Sequence, residues 1–403
     1  MTDQNGTAIA EAPAKGLESV LEAADRVALQ LREDGAERDR ANEPPLRELE
    51  LIREADLLQI QEPVEFGGAG LNYAEANQVT RRLARGDTSI AHLIGYHYAQ
   101  TRLPHLFGTP EQAEEQSRRN AEEKIFWGGI QNERGGTGLA LTRDGEAFRL
   151  DGSRTFASGA SVGDMLAVTA DFGEKLAFIS LPGNREGLIA LRNWDNMGQR
   201  LTDSGGVVLE GVRVESDELL GSPLGPDDYT PWQTLVTPHW QISFVNFYIG
   251  TAEGALDEAL EWTRQNARPW ESSGVEQATD DPYILETVGY LAADVKAGAL
   301  IADHANLVLQ QAIDTGDALT ADERGEAAVT VYEAKLVTTR IALEVTSKLF
   351  EIQGARATTT KYGFDRYWRN VRTHTVHDPV AYKAREVGDW RLNGNAPEFS
   401  LYR

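Results

Sequence analysis

Apolar residues recur at helical spacing through the first quarter of the chain. "LESVLEAADRVALQLRED", beginning at Leu17, repeats them three and four residues apart, which predicts an amphipathic helix. "NYAEANQVTRRLARGDTSIAHLIGYHYAQTRL" keeps the same period, and "EPVEFGGAGLN" before it carries three glycines, which predicts a turn between helices. The pattern changes at "EKIFWGGIQ". From there short β-rich runs alternate with glycine and aspartate: "FRLDGSRTFASGA", "MLAVTADF", "KLAFISLPG" and "GGVVLEGVRV". Closely spaced short strands predict a small antiparallel barrel or sandwich. After "PWQTLV" the helical period returns in "GALDEALEWTRQNAR", "YILETVGYLAADVKAGALIADHANLVLQQAI" and "RGEAAVTVYEAKLVTTRIALEVTSKLFEIQG". The expected organisation is a disordered tail over 1–16, a helical domain over 17–123, a β domain over 124–237 and a helical bundle over 238–403.

Composition narrows the chemistry. With 403 residues, the chain is long enough for two or three domains around a large core. It contains no cysteine, which removes disulfides, thiolate metal sites and cysteine nucleophiles and fits a cytoplasmic setting. A net charge of −24 argues against a nucleic-acid partner, which would need a basic footprint. No run approaches the ~18 apolar residues of a membrane span. The N-terminus lacks the basic start and apolar core of a signal peptide.

Candidate chemistry gathers at a few places. "GGIQNERGGTG" is not G-x-G-x-x-G opening a helix within a βαβ unit, so a plain loop is favoured over a dinucleotide site. In "AHLIGYHY", His92 and Tyr96 stand four residues apart and share a helix face, as either packed side chains or pocket walls. "RTHTVHDPVAYK" sets His374 and His377 three apart, followed by Asp378 and Pro379. Three readings are open there. A metal half-site would need further ligands, and no second ligand spacing accompanies it, so no metal is expected. Proline disfavours helix at the residue before it, so Asp378 should mark a helix end with both histidines on the last turn, where a cationic ring would favour the helix C-terminus. An acid/base pair facing a cofactor is the third. Arg268 in "TRQNARPW" is either solvated or a phosphate ligand.

Longer stretches carry a resemblance. "PVEFGGAGLNYAEANQVTRRLARGDTSIAH", "IQNERGGTG", "NMGQRLTDSGGVVLEGVRV", "ALDEALEWTRQNARPW" and "LFEIQGARATTTKYGFDRYWRNVR" resemble successive segments of the acyl-CoA dehydrogenase fold. The resemblance covers residues 20 to 390. It implies an N-terminal α-helical domain, a central β-barrel or sandwich domain and a C-terminal four-helix bundle. The dehydrogenases remove a proton with a glutamate, and the two places where they carry it here read His377-Asp378-Pro379-Val380 and Trp240. Only Asp378 is left as a substitute base, so an acyl-CoA dehydrogenase-type oxidoreductase using Asp378 is the alternative. A flavin-binding scaffold without catalysis is a third class.

"SIAHLIGYHY", "KYGFDRYWRNVRTHT" and "RTHTVHDPVAYK" are instead similar to the flavin-dependent monooxygenase branch of this fold, which includes the dibenzothiophene monooxygenases of biodesulfurisation. That resemblance implies a homotetramer using reduced FMN, rather than FAD, from a separate NAD(P)H-dependent flavin reductase. With O2 it would form a flavin C4a-hydroperoxide and oxygenate an apolar, heteroaromatic sulfur or nitrogen compound. It implies His92, Tyr96, Asn132, Ser158 and His377 on the reacting face. It further implies Asn132, Thr137, Ser158, Trp194, Arg268 and Arg356 around the flavin or its phosphate. Physical chemistry is compatible with that assignment: a peroxide needs a proton donor in histidine's natural range, neutral hydrogen-bonding groups and exclusion of water. Trp240, Phe244, Phe247 and Tyr248 are expected to enclose the substrate, and His377, rather than His374, to face the reaction.

Overall fold

The computed structural model describes residues 16–132 and 135–401; the expected tail and the Glu133–Arg134 part of the glycine-rich loop lie outside them. Seven helices come first: α1 (Leu17–Glu33), α2 (Gly35–Ala41), α3 (Leu46–Glu54), α4 (Tyr73–Ala84), α5 (Thr88–Gln100), α6 (Leu103–Phe107) and α7 (Pro110–Glu123). α1 buries Val20, Ala24, Val27 and Leu31, one stripe of its surface. α4 starts at a reciprocal cap between Asn72 and Glu75, and the Asp87 carboxylate accepts the amides of Ser89 and Ile90 to start α5. Because Asp87 fixes where α5 begins, it also fixes which way His92 and Tyr96 face.

Seven strands follow: β1 (Trp127–Ile130), β2 (Gly138–Asp144), β3 (Ala147–Arg154), β4 (Met165–Phe172), β5 (Lys175–Pro182), β6 (Leu188–Ala190) and β7 (Val207–Val214). They form one curled sheet in the order β1-β4-β2-β3-β7-β6, with β5 paired on β4. The β2–β3 and β4–β5 hairpins are antiparallel, as their glycine-marked turns predict. β1 departs from that expectation. It is parallel to β4, pairing Trp127 with Met165 through Ile130 with Val168, because it enters directly from α7 rather than from a hairpin. Gly128 belongs to the only kind of residue this strand admits there, since a Cβ would sit 2.5 Å from the Gly159 carbonyl oxygen. "TFASGA", expected to prolong a strand, leaves the sheet after Arg154 and runs along its edge.

The last part is α8 (Val236–Asn266), α9 (Pro282–Thr315), α10 (Ala321–Gln353), α11 (Asp365–His374) and α12 (Val380–Asn393). α8, α9 and α10 are long and mutually packed, α11 is a shorter fourth member against α8 and α10, and α4 and α5 cover the other side of α8. Most helices share one apolar core and the sheet keeps its own, built from residues such as Ile130, Leu150, Val168 and Val212, with a smaller cluster around Phe107, Trp127 and Phe178 beside them. No helix among the described residues is long and apolar enough to cross a membrane.

Candidate active site

A cavity of about 830 Å³ opens where the two cores meet. α5, the end of β1, the 155–158 and 194–204 loops, the start of α8 and the turn between α11 and α12 all contribute to its wall. That volume is at the large end of the range for small-molecule sites, with room for a flavin ring and an aromatic substrate side by side.

Its floor is histidine and aromatic. His92 is buried, edge-on to Tyr96 at 4.2 Å and to His374 at 4.8 Å, and stacked on Phe247 at 5.5 Å. The Nδ1 of His92 lies 3.1 Å from Gln199 Oε1, and the Gln199 amide donates its Nε2 hydrogens to the Asn370 carbonyl. A carbonyl oxygen only accepts, so Nδ1 carries the ring proton of His92 and Nε2 is an acceptor. That Nε2 is buried without a protein partner, and so is Nε2 of His374. His374 itself is held by the Tyr248 hydroxyl, 2.7 Å from Nδ1. Burial depresses the His92 ring to about 3. Burial, then the neighbouring His92, His377 and Lys335, depress His374 well below the ordinary histidine range. Both floor rings are therefore neutral at physiological pH.

One wall keeps its charge. Asp378 packs its carboxylate against the ammonium of Lys335, a fully buried side chain of α10, with Lys335 Nζ 2.5 Å from Oδ2. Gln241 joins both, accepting from Lys335 at 2.6 Å and donating to Asp378 Oδ2 at 3.2 Å. Burial raises the Asp378 carboxyl, but Lys335 and His377 outweigh it and hold the group well below the usual carboxylate range. Asp378 Oδ1 faces His377 Nδ1 at 3.5 Å, and the His377 side chain is 48% exposed.

The remaining wall is hydroxyl and apolar. Ser158, Ser204 and Thr202 form a chain of hydroxyls at 2.7 and 2.8 Å, ending on the Gln199 carbonyl. Asn132 donates to the Thr155 carbonyl at 3.2 Å. Phe156, Met197 and Val376 stay exposed at the opening, and Trp194 meets Phe156 edge-on at 5.8 Å while donating to Gln199 O. Phe156 and Gln199 both adopt left-handed backbone angles, φ +57° and +55°, costing ~1–3 kcal/mol each. Strain of that size persists where the surroundings impose it, and here both residues line the cavity.

His92, Tyr96, Asn132, Ser158, Trp194, Trp240, Phe244, His377 and Asp378 thus meet around one space. Thr137 does not line it: its hydroxyl and amide are engaged with Ser153. Arg268 and Arg356 are exposed and outside it, and no lysine or arginine among the described residues lines it. Phe247 and Tyr248 stand behind the floor rather than on it. The helix-end expectation needs correcting. α11 stops at His374, which is buried and neutral rather than a cationic cap, and His377 lies in the turn beyond because Pro379 cannot continue the helix. Gln199, Gln241 and Lys335 escaped the sequence reading. Lys335 offered one signal, a lone cation amid the apolar positions of "AAVTVYEAKLVTT".

Comparison with known proteins shows the family. Residues 18–124 match the acyl-CoA dehydrogenase N-terminal domain and residues 242–381 the acyl-CoA dehydrogenase C-terminal domain. A dibenzothiophene monooxygenase of Mycolicibacterium goodii is 40% identical over 90% of each chain. A Pseudomonas putida protein described as a probable FMNH2-dependent monooxygenase, SfnC, is 37% identical over 94% of this chain and 96% of its own. The crystal structure of TdsC from Paenibacillus sp. A11-2 with FMN and indole superposes with a TM-score of 0.91 at 36% identity, covering 95% of this chain and all of that one.

Proposed function

The chain belongs to the acyl-CoA dehydrogenase family, and on that premise we propose that it is a two-component flavin-dependent monooxygenase. It takes reduced FMN and O2 and oxygenates a heteroaromatic or other apolar sulfur or nitrogen compound, with dibenzothiophene to its sulfoxide and sulfone as the reference reaction. The observation that carries this reading is the cavity's titratable set. Its floor histidines are neutral, and the one carboxylate among its described lining residues is locked in an ion pair with Lys335. A carboxylate so stabilised is a poor base, which disfavours the dehydrogenase alternative.

The residues present fit a flavin. The Nε2 atoms of His92, an acceptor, and of His374 are both buried without a protein partner, and the exposed rings at the opening need a planar partner. FMN, when bound in its reduced form, supplies the two electrons with which O2 is divided, one atom to the substrate and one to water. Asn132 and Ser158 would hydrogen-bond the edge of a bound ring, and Trp194 would lie against it. His92 and Tyr96 would orient the reacting side, and the half-exposed His377 would move a proton at the cavity edge. Trp240 and Phe244 would exclude water from the substrate's side.

The phosphate is the remaining charge. With no cation on the described cavity wall, we assign it to Arg268 and Arg356 of a neighbouring copy in a homotetramer. The exposed Tyr283, Tyr290, Leu300 and Leu307 along one side of α9 support such an assembly. A cytoplasmic NAD(P)H-dependent flavin reductase supplies FMNH2. Charge-assisted hydrogen bonds are worth ~1.5–3 kcal/mol, so Arg268→Ala should weaken FMN binding by roughly ten- to hundredfold. Unchanged affinity would return Arg268 to solvent. The function itself is tested by supplying enzymatically reduced FMN, ¹⁸O2 and dibenzothiophene. Labelled sulfoxide or sulfone is the expected product, and acyl-CoA-driven reduction of a dye without added reduced flavin would overturn the reading.

A further inference from the structure

Lys335 so far only removes Asp378 as a base, yet its own position is expensive. It is a lysine with a fully buried side chain in the middle of α10, and burial pulls its ammonium downward while Asp378 supports it. Buried ion pairs are seldom retained for stability, because well-packed apolar residues of similar volume usually serve as well or better. A purely architectural role therefore leaves the pair unexplained. Its location is informative. Nζ is 2.5 Å from Asp378 Oδ2, 2.6 Å from Gln241 Oε1 and 5.0 Å from the centre of the Phe244 ring. Gln241, Phe244 and Asp378 all line the cavity, and Lys335 does not. Whatever Lys335 does for the cavity, it does through them.

The path leads to His377. With Oδ2 taken by Lys335 and Gln241, the Asp378 carboxylate keeps Oδ1 toward His377 Nδ1 at 3.5 Å, within ion-pairing range. The His377 ring is set in the same direction by its parallel stack on His374, 5.3 Å between centres with 1° between planes, and by Phe244 edge-on at 5.7 Å. A carboxylate at one imidazole nitrogen favours a proton there and leaves the other nitrogen for the cavity. We propose that Lys335 is a positioning residue. By fixing Asp378 it holds the His377 ring in one orientation, with Nδ1 toward the carboxylate and the other nitrogen toward the cavity edge.

This inference rests on the monooxygenase reading. The titratable groups facing His377 are Asp378 with Lys335 behind it, His374 of α11, and His92 and Tyr96 of α5; Lys383 and Glu386 of α12 extend the same charge network. Of the cations, Lys335 is the one bonded to Asp378 directly.

The test compares wild type, Lys335→Met and the double variant Lys335→Met/Asp378→Asn, each under a fixed supply of reduced FMN, with product, H2O2 and FMN affinity all measured. Lys335→Met leaves Asp378 charged and unpaired and is expected to lose thermal stability. The double variant removes both charges and should fold near wild type, which keeps the test decisive. In the double variant, product per reduced FMN should fall at least tenfold with H2O2 rising to match, since a positioned acid/base group is typically worth 10²–10⁴-fold. FMN affinity should stay near wild type, so that the loss is one of coupling and not of cofactor binding. A folded double variant with wild-type coupling would overturn the positioning role, as would a loss of product matched by an equal loss of FMN binding. If wild type itself forms no oxygenated product from any apolar sulfur or nitrogen compound, the monooxygenase reading fails instead, a result separate from the comparison among variants.

Discussion

The floor of the cavity and the wall beside it both bury polar groups and solve the cost in opposite ways. On the floor, His92 and His374 give up their charge, and each keeps one nitrogen hydrogen-bonded while the other awaits a ligand. On the wall, Lys335 and Asp378 keep their charges and neutralise each other across 2.5 Å. The lesson is about pairing distance. No carboxylate bonds either floor ring, so desolvation decides; on the wall an opposite charge is in contact, so Coulomb attraction outweighs it. His377 stands between the two regimes, stacked on a neutral ring and facing a fixed carboxylate.

Breaking the comparison at that junction should have the largest effect. His377→Ala should lose 10²–10⁴-fold in product formation while FMN binding stays near wild type, with reducing equivalents diverted to H2O2. His374→Ala should lose less rate and more stability, because that ring is buried and packed against Phe247 and Phe244. Simultaneous measurement of product and H2O2 checks both, and a fully coupled His377→Ala would reduce the pair to an ordinary chain turn.

Acid sharpens the comparison. The floor histidines have folded values below the ordinary 6.5, so the unfolded chain takes up protons first as pH falls. Stability should therefore decline from about pH 6.5 toward pH 3 by up to about 1.4 kcal/mol per unit for each such ring. Buried His97, His105 and His239 are depressed likewise and add to the same slope. Asp378 has the same sign in a different window. Its folded value is depressed below the ordinary 3.8, so its contribution is intact above about pH 4 and lost as pH falls further. Urea unfolding between pH 7 and 4 should show His92→Phe with a shallower decline than wild type by about 1.4 kcal/mol per unit. Parallel curves would mean that His92 is not kept neutral by burial.

The smallest change touches the support of the floor. Tyr248→Phe removes the hydroxyl at His374 Nδ1 and leaves both ring nitrogens without a protein partner, costing about 1–3 kcal/mol. The urea midpoint should fall accordingly with an unchanged slope. An unaltered midpoint would show that the Tyr248 contact contributes nothing net.

Much of this was legible in the sequence, because the signals are local. Helical spacing from Leu17, the glycine-marked hairpins and the long apolar-rich helices of the last part depend on residues within a few positions of each other. So does the placement of His92 beside Tyr96, one helical turn apart on α5, and the break in helix before Pro379, though not its position, since α11 already ends at His374. The parallel pairing of β1 was not legible, since it depends on where α7 delivers the chain. The same is true of charge. Lys335 meets Gln241 from 94 residues away and Asp378 from 43, and Gln199 reaches His92 across 107. Burial and partner distance set whether a side chain stays ionised, and both are properties of packing between distant segments. The sequence by itself determined which residues could do the chemistry; only the tertiary structure decided which of two neighbouring histidines is neutral and enclosed, and which faces a fixed carboxylate at the edge of the cavity.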